Sequence, residues 1–339
     1  MKGVILAAGR GTRLSPLTEA RSKPLLPLAN QPLISYTLQK LLCAGIYDIG
    51  IVVGDNEDEL RAGLAHVPAE LSYIRQDEPR GLAHAVQCTQ GFTGGDEFIL
   101  LFCDNLFSEP LALAQAEWAA YSASCNDMAA MVHVIELADP RAFGVAVVDG
   151  DGWIQELEEK PAKPQSNLAV VGFDFLTPLI FDAISRISPS TRGELEITDA
   201  LAELLRMGHR VRARRLSSFW YDVGTIPDML DVLKPVMDEF GAYQAQGRYP
   251  GSTLSGPVGI ARGAVAEDCQ LTGPVLIGGE SRLRGCQLGP YVAIGAHCVA
   301  EGCTLAHCQL YPGTRLAGVT DSWAVYDGSL RVDRDTPPA

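Results

Sequence analysis

The chain has 339 residues, 47% hydrophobic and 20% charged, the balance of an ordinary globular protein long enough for two domains. Its 27 basic and 41 acidic side chains leave a net charge of −14, which argues against a nucleic-acid binder and demands local positive charge or a metal for any anionic ligand. No apolar run reaches the roughly 18 residues of a membrane span, and the start lacks the long apolar core of a signal peptide, so a cytoplasmic protein with no membrane partner is expected.

The first element is a buried strand, Val4 to Ala7, running straight into Ala8-Gly9-Arg10-Gly11-Thr12-Arg13. Glycines let backbone N–H groups close on an anion, and Arg10, Arg13 and Lys23 add positive charge. Neither familiar phosphate motif fits. The dinucleotide fingerprint needs Gly where Leu14 stands, and the NTPase loop needs Gly-Lys-Ser/Thr where Gly11-Thr12-Arg13 stands. A tight turn with solvated arginines is the plain alternative.

Helix-like and strand-like stretches then alternate. Leu33 to Leu42, Asp58 to Leu64 and Leu111 to Tyr121 read as amphipathic helices; Ile49 to Val53, Leu71 to Ile74 and Phe98 to Phe102 read as buried strands. Such alternation predicts an α/β fold, an open, mostly parallel sheet with helices on both faces, whose ligands bind beyond the carboxyl ends of the strands. The Gly9–Arg13 loop and Asp104-Asn105 both follow strands, so both should reach that edge. Further strands are expected at Met128 to Ile135, Val145 to Val148, 168–176 and Phe219 to Asp222. Helices are expected at 178–186, 196–207 and 225–240. Asp149-Gly150-Asp151-Gly152 is a hairpin turn signal leading towards Glu158-Glu159-Lys160-Pro161.

Residues 241–256 shift to small, polar and turn-forming types and read as a linker. Beyond it the period becomes six: Val265, Leu271, Ile277 and Leu283, then Leu288, Ile294 and Ala300, then Leu310 and Leu316. Hexads predict a parallel β-helix over 257–330, about three coils of about 18 residues. Residues 331–339 are expected to fray. Nine cysteines with no secreted-scaffold spacing predict reduced thiols. His297-Cys298, Cys303 and His307-Cys308 lack zinc spacing and fit inward-pointing small residues better.

The loop with Ser22-Lys23-Pro24-Leu25-Leu26-Pro27, Gln76 to Ala85, Asp104-Asn105, Glu158 to Pro161, Ser166 to Gly172, Arg192 to Thr198 and Trp220 to Gly224 resemble, in order, the motifs of sugar-1-phosphate nucleotidylyltransferases. The resemblance covers essentially residues 1–330, and a repeat domain after residue 256 suits the longer members, whose β-helix is left-handed. It implies a Rossmann-like nucleotidyltransferase domain over 1–240 and attack of a sugar-1-phosphate oxygen on the α-phosphorus of a nucleoside triphosphate, with pyrophosphate leaving and Mg²⁺ assisting. It implies that Ala8, Gly9, Gly11, Thr12, Arg13 and Lys23 cradle the triphosphate, with Arg13 towards the leaving pyrophosphate and Lys23 towards the α-phosphate. Gln76 and Gly81 would read the base, Asp104 and Asp222 would hold the metal, and Arg13, Lys23 and Asp104 would be catalytic. Gly144, Glu159, Lys160, Val170, Gly172, Arg192 and Trp220 would bind the sugar phosphate.

Each residue also has a plain structural reading: a surface lysine for Lys23, a loop glutamine for Gln76, a turn aspartate for Asp104, a helix-start aspartate for Asp222, and a helix entry for 192–198. One position departs from the family, which usually carries Gly where Cys103 precedes Asp104. The expected reaction joins dTTP and glucose-1-phosphate. A UTP-dependent or other NDP-sugar pyrophosphorylase is the alternative within the class, and a non-catalytic assembly subunit the alternative outside it. Acyl transfer by the β-helix is the remote one. The expected partners are a nucleoside triphosphate, a hexose-1-phosphate and further copies of the chain, through apolar edges of the β-helix.

Overall fold

The computed structural model describes residues 1–337, so the last two residues of the expected frayed tail lie outside it. Two compact units emerge, and they do not follow chain order. One holds Met1–Arg10 and Ile34–Trp220; the other holds Gly11–Leu33 with everything from Tyr221 onward.

The first unit is built on a sheet of β1 (Lys2–Leu6), β4 (Asp48–Val53), β5 (Glu70–Arg75), β6 (Phe98–Phe102), β8 (Met128–Glu136), β9 (Gly144–Val148), β10 (Ile154–Glu159), β11 (Leu168–Leu176) and β12 (Arg210–Arg215), the short β2 (Pro27–Leu28) and β3 (Gln31–Pro32) belonging to the other unit. Its strands run β10-β9-β11-β6-β1-β4-β5, with β8 beside β11 and β12 beside β8. The sheet is mixed. β6, β1, β4 and β5 are parallel, as are β8 and β12, whereas every pairing of β11 and the β9–β10 hairpin is antiparallel. The apolar runs of β1 and β6 bury both faces (Val4, Ile5 and Phe98 to Leu101 are fully enclosed), as parallel strands under helices must.

The helices are α1 (Leu33–Cys43), α2 (Glu57–Gly63), α3 (Leu82–Cys88), α4 (Gln90–Thr93), α5 (Leu111–Ser124), α6 (Leu179–Ile184) and α7 (Ile197–Arg206). The helix expected over 178–186 is shorter at both ends. Helix α3 escaped the sequence reading, because its seven residues are too few to establish a period.

In the second unit α8 (Ile226–Phe240) opens on a capping box: Asp228 N–H donates to Thr225 Oγ1 at 3.3 Å and Thr225 N–H to Asp228 Oδ2 at 2.8 Å. Three parallel sheets follow, each coil giving one short strand to each sheet. The inward ladder runs Leu254↔Leu271↔Leu288↔Leu305, Ile260↔Ile277↔Ile294↔Leu310 and Ala266↔Leu283↔Ala300↔Leu316. Each buried Leu or Ile in such a ladder contributes roughly 2 kcal/mol.

Several expectations need correcting here. The coil repeat is 17 residues (Leu254↔Leu271) and shortens to 16 from Ile294 onward (Ile294↔Leu310↔Tyr326), one and then two residues short of three full hexads. There are four coils. Val265 is half-exposed, and its neighbour Ala266 points inward. The linker of 241–256 already carries the strand Thr253–Ser255, and Ala245 and Arg248 bridge to Ile260 and Val265. The tail contains the strand Leu330–Asp333, which pairs antiparallel with Ala324–Asp327 and is clamped where Arg331 Nε donates to Asp321 Oδ2 at 2.6 Å. That strand covers the end of one of the three coil sheets. All nine cysteines are free thiols; Cys269, Cys286, Cys298, Cys303 and Cys308 are buried in the coil, as expected of small inward residues.

Candidate active site

In the first unit, the carboxyl ends of β6, β1, β4 and β5 lie side by side. They deliver Asp104, Ala8-Gly9-Arg10, Gly54-Asp55-Asn56 and Gln76 to one edge, as Leu6↔Phe102 and Val53↔Arg75 show. Cys103 N–H donates to Leu6 O at 3.2 Å and locks the two turns together. Asn56 Nδ2 donates to Ala7 O at 2.9 Å, and Asn56 Oδ1 accepts from Gly54 N–H at 3.0 Å, tying the loop after β1 to the end of β4. Cys103 is only 5% exposed, so its thiol packs into the protein rather than crowding this edge.

Gln76 is not a loop glutamine: it is 7% exposed. Its Nε2 donates to Gly81 O at 3.2 Å and to His84 Nδ1 at 3.1 Å. Burial, helped by Arg80, lowers the His84 pKa and keeps the ring neutral, so Nδ1 can accept. The amide protons of Gln76 are thus directed to Gly81 and His84. Gly81 has φ of +106°, and a Cβ there would lie 2.5 Å from Leu195 O. Its glycine is demanded by the crossing Leu195 backbone, which donates from Leu195 N–H to Arg80 O at 2.8 Å.

Asn105, in β7 (Asn105–Phe107), has no expected role within the Asp104-Asn105 motif, and it is the hub of this edge. Its Nδ2 donates to Asp104 Oδ1 at 3.1 Å. Its Oδ1 accepts from Gly172 N–H at 3.1 Å and Trp220 Nε1 at 2.8 Å. Gly172 is glycine because a Cβ would overlap the Phe102 ring. Half-buried Val170 precedes it at the irregular part of β11. Trp220 meets Phe143 edge-on at 5.4 Å, and Phe143 O accepts from Lys160 N–H at 3.0 Å. A chain of contacts thus runs from Asp104 to the end of the β9–β10 hairpin.

That end is a charged corner. Gly144 pairs with Glu159, and a Cβ on Gly144 would lie 2.5 Å from Thr198 Oγ1. Thr198 donates to Glu159 Oε2 at 2.8 Å, while Arg192 and Lys160 stand 3.3 and 3.5 Å from Glu159 Oε1. Arg192 also meets Glu196 at 2.8 Å and Glu194 at 3.7 Å. Buried Glu196 does not cap α7; it accepts from Ser190 and Arg192 instead. Arg192 therefore faces three carboxylates, with Glu196 the nearest and Glu159 within hydrogen-bond reach. Thr198 and Glu196 carried no signal beyond their place in the Arg192 to Thr198 motif.

In the second unit, Gly11 has φ of +64°, and a Cβ there would meet Lys23 Cβ at 2.8 Å. Lys23 is 8% exposed, which overturns the surface-lysine reading. The segment folds as short 3-10 turns at Thr12–Leu14, Leu17–Glu19 and Lys23–Leu25, which leave Thr12 and Arg13 exposed. The Arg13 guanidinium lies over Gly224, where a Cβ would come within 3.3 Å of it. Gly224 N–H donates to Asp222 O at 3.0 Å, so Asp222 and Arg13 approach the same turn. Asp222 ends β13 (Trp220–Asp222).

The model of the family described as Nucleotidyl transferase matches residues 2–239. The chain belongs to the nucleotidyl transferase family. Among its relatives is a glucose-1-phosphate thymidylyltransferase of Streptomyces griseus, 41% identical over 241 residues, covering 70% of this chain and 66% of that one. Another, of the same description, comes from Streptomyces antibioticus and is 36% identical over 275 residues, covering 80% of this chain and 75% of that one. The chain thus spans about two thirds of the first relative and three quarters of the second. Among solved structures, a UDP-glucose pyrophosphorylase complexed with UDP-glucose superposes with a TM-score of 0.62 at 28% identity, covering 70% of this chain and 98% of that one. This nucleotidyltransferase has no helix among its described residues long and apolar enough to cross a membrane. Nor do any three His, Cys, Asp or Glu side chains among them converge as a ready-made metal cage.

Proposed function

We propose that the chain transfers a thymidylyl group from dTTP to glucose-1-phosphate, giving dTDP-glucose and pyrophosphate. The observation that carries the reading is Lys23: it is 8% exposed, and its side chain packs directly against Gly11 of the glycine loop, which puts a buried positive charge beside the proposed triphosphate cradle. The relatives' descriptions supply the substrate pair.

Ala8, Gly9, Gly11 and Thr12 take the triphosphate on their backbone, and Arg13 offers a bidentate fork to the departing pyrophosphate. Lys23 meets charge developing on the α-phosphate. Gln76 Oε1 accepts the N3–H of the pyrimidine beside Gly81. Glu159, oriented by Thr198 and Arg192, receives sugar hydroxyls, and Lys160 meets the sugar's phosphate. Gly144, Val170, Gly172 and Trp220 shape that pocket. Asp104 and Asp222 would hold Mg²⁺, for two carboxylate oxygens with phosphates and water satisfy that ion without a protein cage. When bound, the ion neutralises phosphate charge.

On this reading residues 1–240 do the chemistry, the coil of 257–330 joins copies of the chain through its flat, polar Thr and Gln face, and the enzyme works in the cytoplasm. Pyrophosphate release with each of dTTP, UTP, ATP, CTP and GTP against a panel of hexose-1-phosphates tests the substrates. Fastest turnover with dTTP and glucose-1-phosphate is expected; release with no pair would favour a non-catalytic role. Light scattering should give a mass above one chain.

A further inference from the structure

One outward column of the coil is unlike the rest. Gly259↔Leu276↔Ala293↔Gln309↔Val325 stack rung on rung, and every member is buried. Four of the five are apolar or glycine. The fifth, Gln309, is 2% exposed, and its Nε2 finds no hydrogen-bond partner among the described residues. A buried amide with an orphaned nitrogen persists only if its oxygen does something of value.

That oxygen accepts from Ala29 N–H at 3.0 Å, across 280 positions of sequence. Ala29 and Asn30 form the two-residue turn between β2 and β3, with φ of +47° and +69°. Both positions of such a turn need the left-handed region. Asn tolerates it; Ala does so poorly and brings no side-chain hydrogen bond of its own. The coil supplies the missing support. Asn30 Nδ2 donates to Ile294 O at 2.8 Å. Arg21 pairs with Asp327 at 3.5 Å and lies over the Tyr311 ring at 5.2 Å. The same segment carries Lys23, held through Leu26 N–H to Lys23 O at 3.1 Å and Leu33 N–H to Leu26 O at 3.0 Å.

We propose that the coil is a positioning device for the phosphate-binding segment, with Gln309 as its positioning residue: by holding the Ala29-Asn30 turn it sets where Lys23 and Arg13 stand. The catalytic part of the proposal rests on the nucleotidyl-transfer reading above.

The test is Gln309→Met, which keeps the length and volume of the side chain and removes the acceptor. With dTTP and glucose-1-phosphate, kcat should fall roughly ten-fold while the KM for the sugar phosphate stays within about two-fold, since small displacements of a catalytic group cost turnover. Hydrogen exchange at Leu26 and Leu33 should quicken. Adding Ala29→Gly, which takes positive φ freely, should restore most of kcat in the double variant; a merely structural role would not give that rescue. If Gln309→Met fails to fold, Asn30→Ala should show the same pattern, smaller. Unchanged exchange at Leu26 and Leu33 in a folded variant overturns the positioning role whatever the activity. So does an unchanged kcat in an active enzyme. An inactive wild type would instead end the nucleotidyl-transfer reading and leave the exchange comparison to decide this one.

Discussion

The Glu159 corner and the Lys23 segment both gather charge, are both proposed to meet an anionic, polar ligand, and are built in opposite ways. At the corner, five charged side chains and a threonine are linked by contacts under 4 Å, all within forty residues, and most of them are partly reached by water while Glu196 and Thr198 are buried. At the segment, one ammonium is enclosed and its surroundings are fixed by contacts from nearly 300 residues away. The corner is redundant: losing one ion pair leaves others, and screened pairs are each worth little. The segment has no spare part. Single changes should therefore be graded at the corner and severe at the segment.

The strongest way to break that contrast is Lys23→Ala. It should lower kcat about 10³-fold while circular dichroism stays that of the wild type. A near-normal rate would remove Lys23 from the chemistry. Next comes Gly81→Ala, which forces a Cβ at φ of +106° to within 2.5 Å of Leu195 O. It should lower the unfolding free energy by about 3 kcal/mol in denaturant titrations; an unchanged midpoint would mean the Leu195 strand gives way freely.

Glu159→Gln sharpens the other side. Thr198 can still donate to the amide oxygen while Arg192 loses one of its three counter-charges and Lys160 loses its own. The KM for glucose-1-phosphate should rise about ten-fold with kcat within a few-fold, and a kcat loss like that of Lys23→Ala would erase the distinction.

The smallest effect separates both regions from the core. His133 is fully buried against Phe173 at 3.6 Å, with Nδ1 2.6 Å from Phe173 O. Burial, with Arg214 nearby, pushes its pKa down to about 3. The folded state refuses a proton that the unfolded chain accepts near pH 6.5, so stability is whole above that pH and falls as pH drops towards 3. Relative to His133→Phe, wild-type stability should fall by about 1 kcal/mol between pH 8 and pH 6. Asp174, whose carboxyl burial pushes well above the usual carboxylate range, is present in both proteins and its contribution is common to both. Parallel curves for the two proteins would show that His133 takes up its proton as readily in the fold as in the unfolded chain.

The same contrast explains what could be read from the chain alone. The corner lies in one hairpin and one helix entry, so its motifs travel as short strings, and Glu159, Lys160 and Arg192 were nameable. Strands β6 and β11 were legible because enclosed strands must be continuously apolar. Asn105 hid in plain view, since an asparagine after an aspartate reads as a turn until its three partners are seen. Gln309 had no signal at all: one polar residue in a hexad looks like an outward position, and its meaning depends on a turn 280 residues earlier. Ala266 lost to Val265 for a related reason. Hydropathy favours valine, but corner geometry decides which of two neighbours points in.

The Ala29–Gln309 bond also sets an order of events during synthesis. At about 5–20 residues per second, Gln309 is polymerised some fifteen seconds to a minute after Ala29. The sheet of the first unit can form as its strands emerge. The segment bearing Lys23 cannot reach its final form until nearly the whole chain has left the ribosome, so the nascent chain carries this limb unfastened and, if the segment binds phosphate as proposed, becomes competent only once the rung of Gln309 is in place.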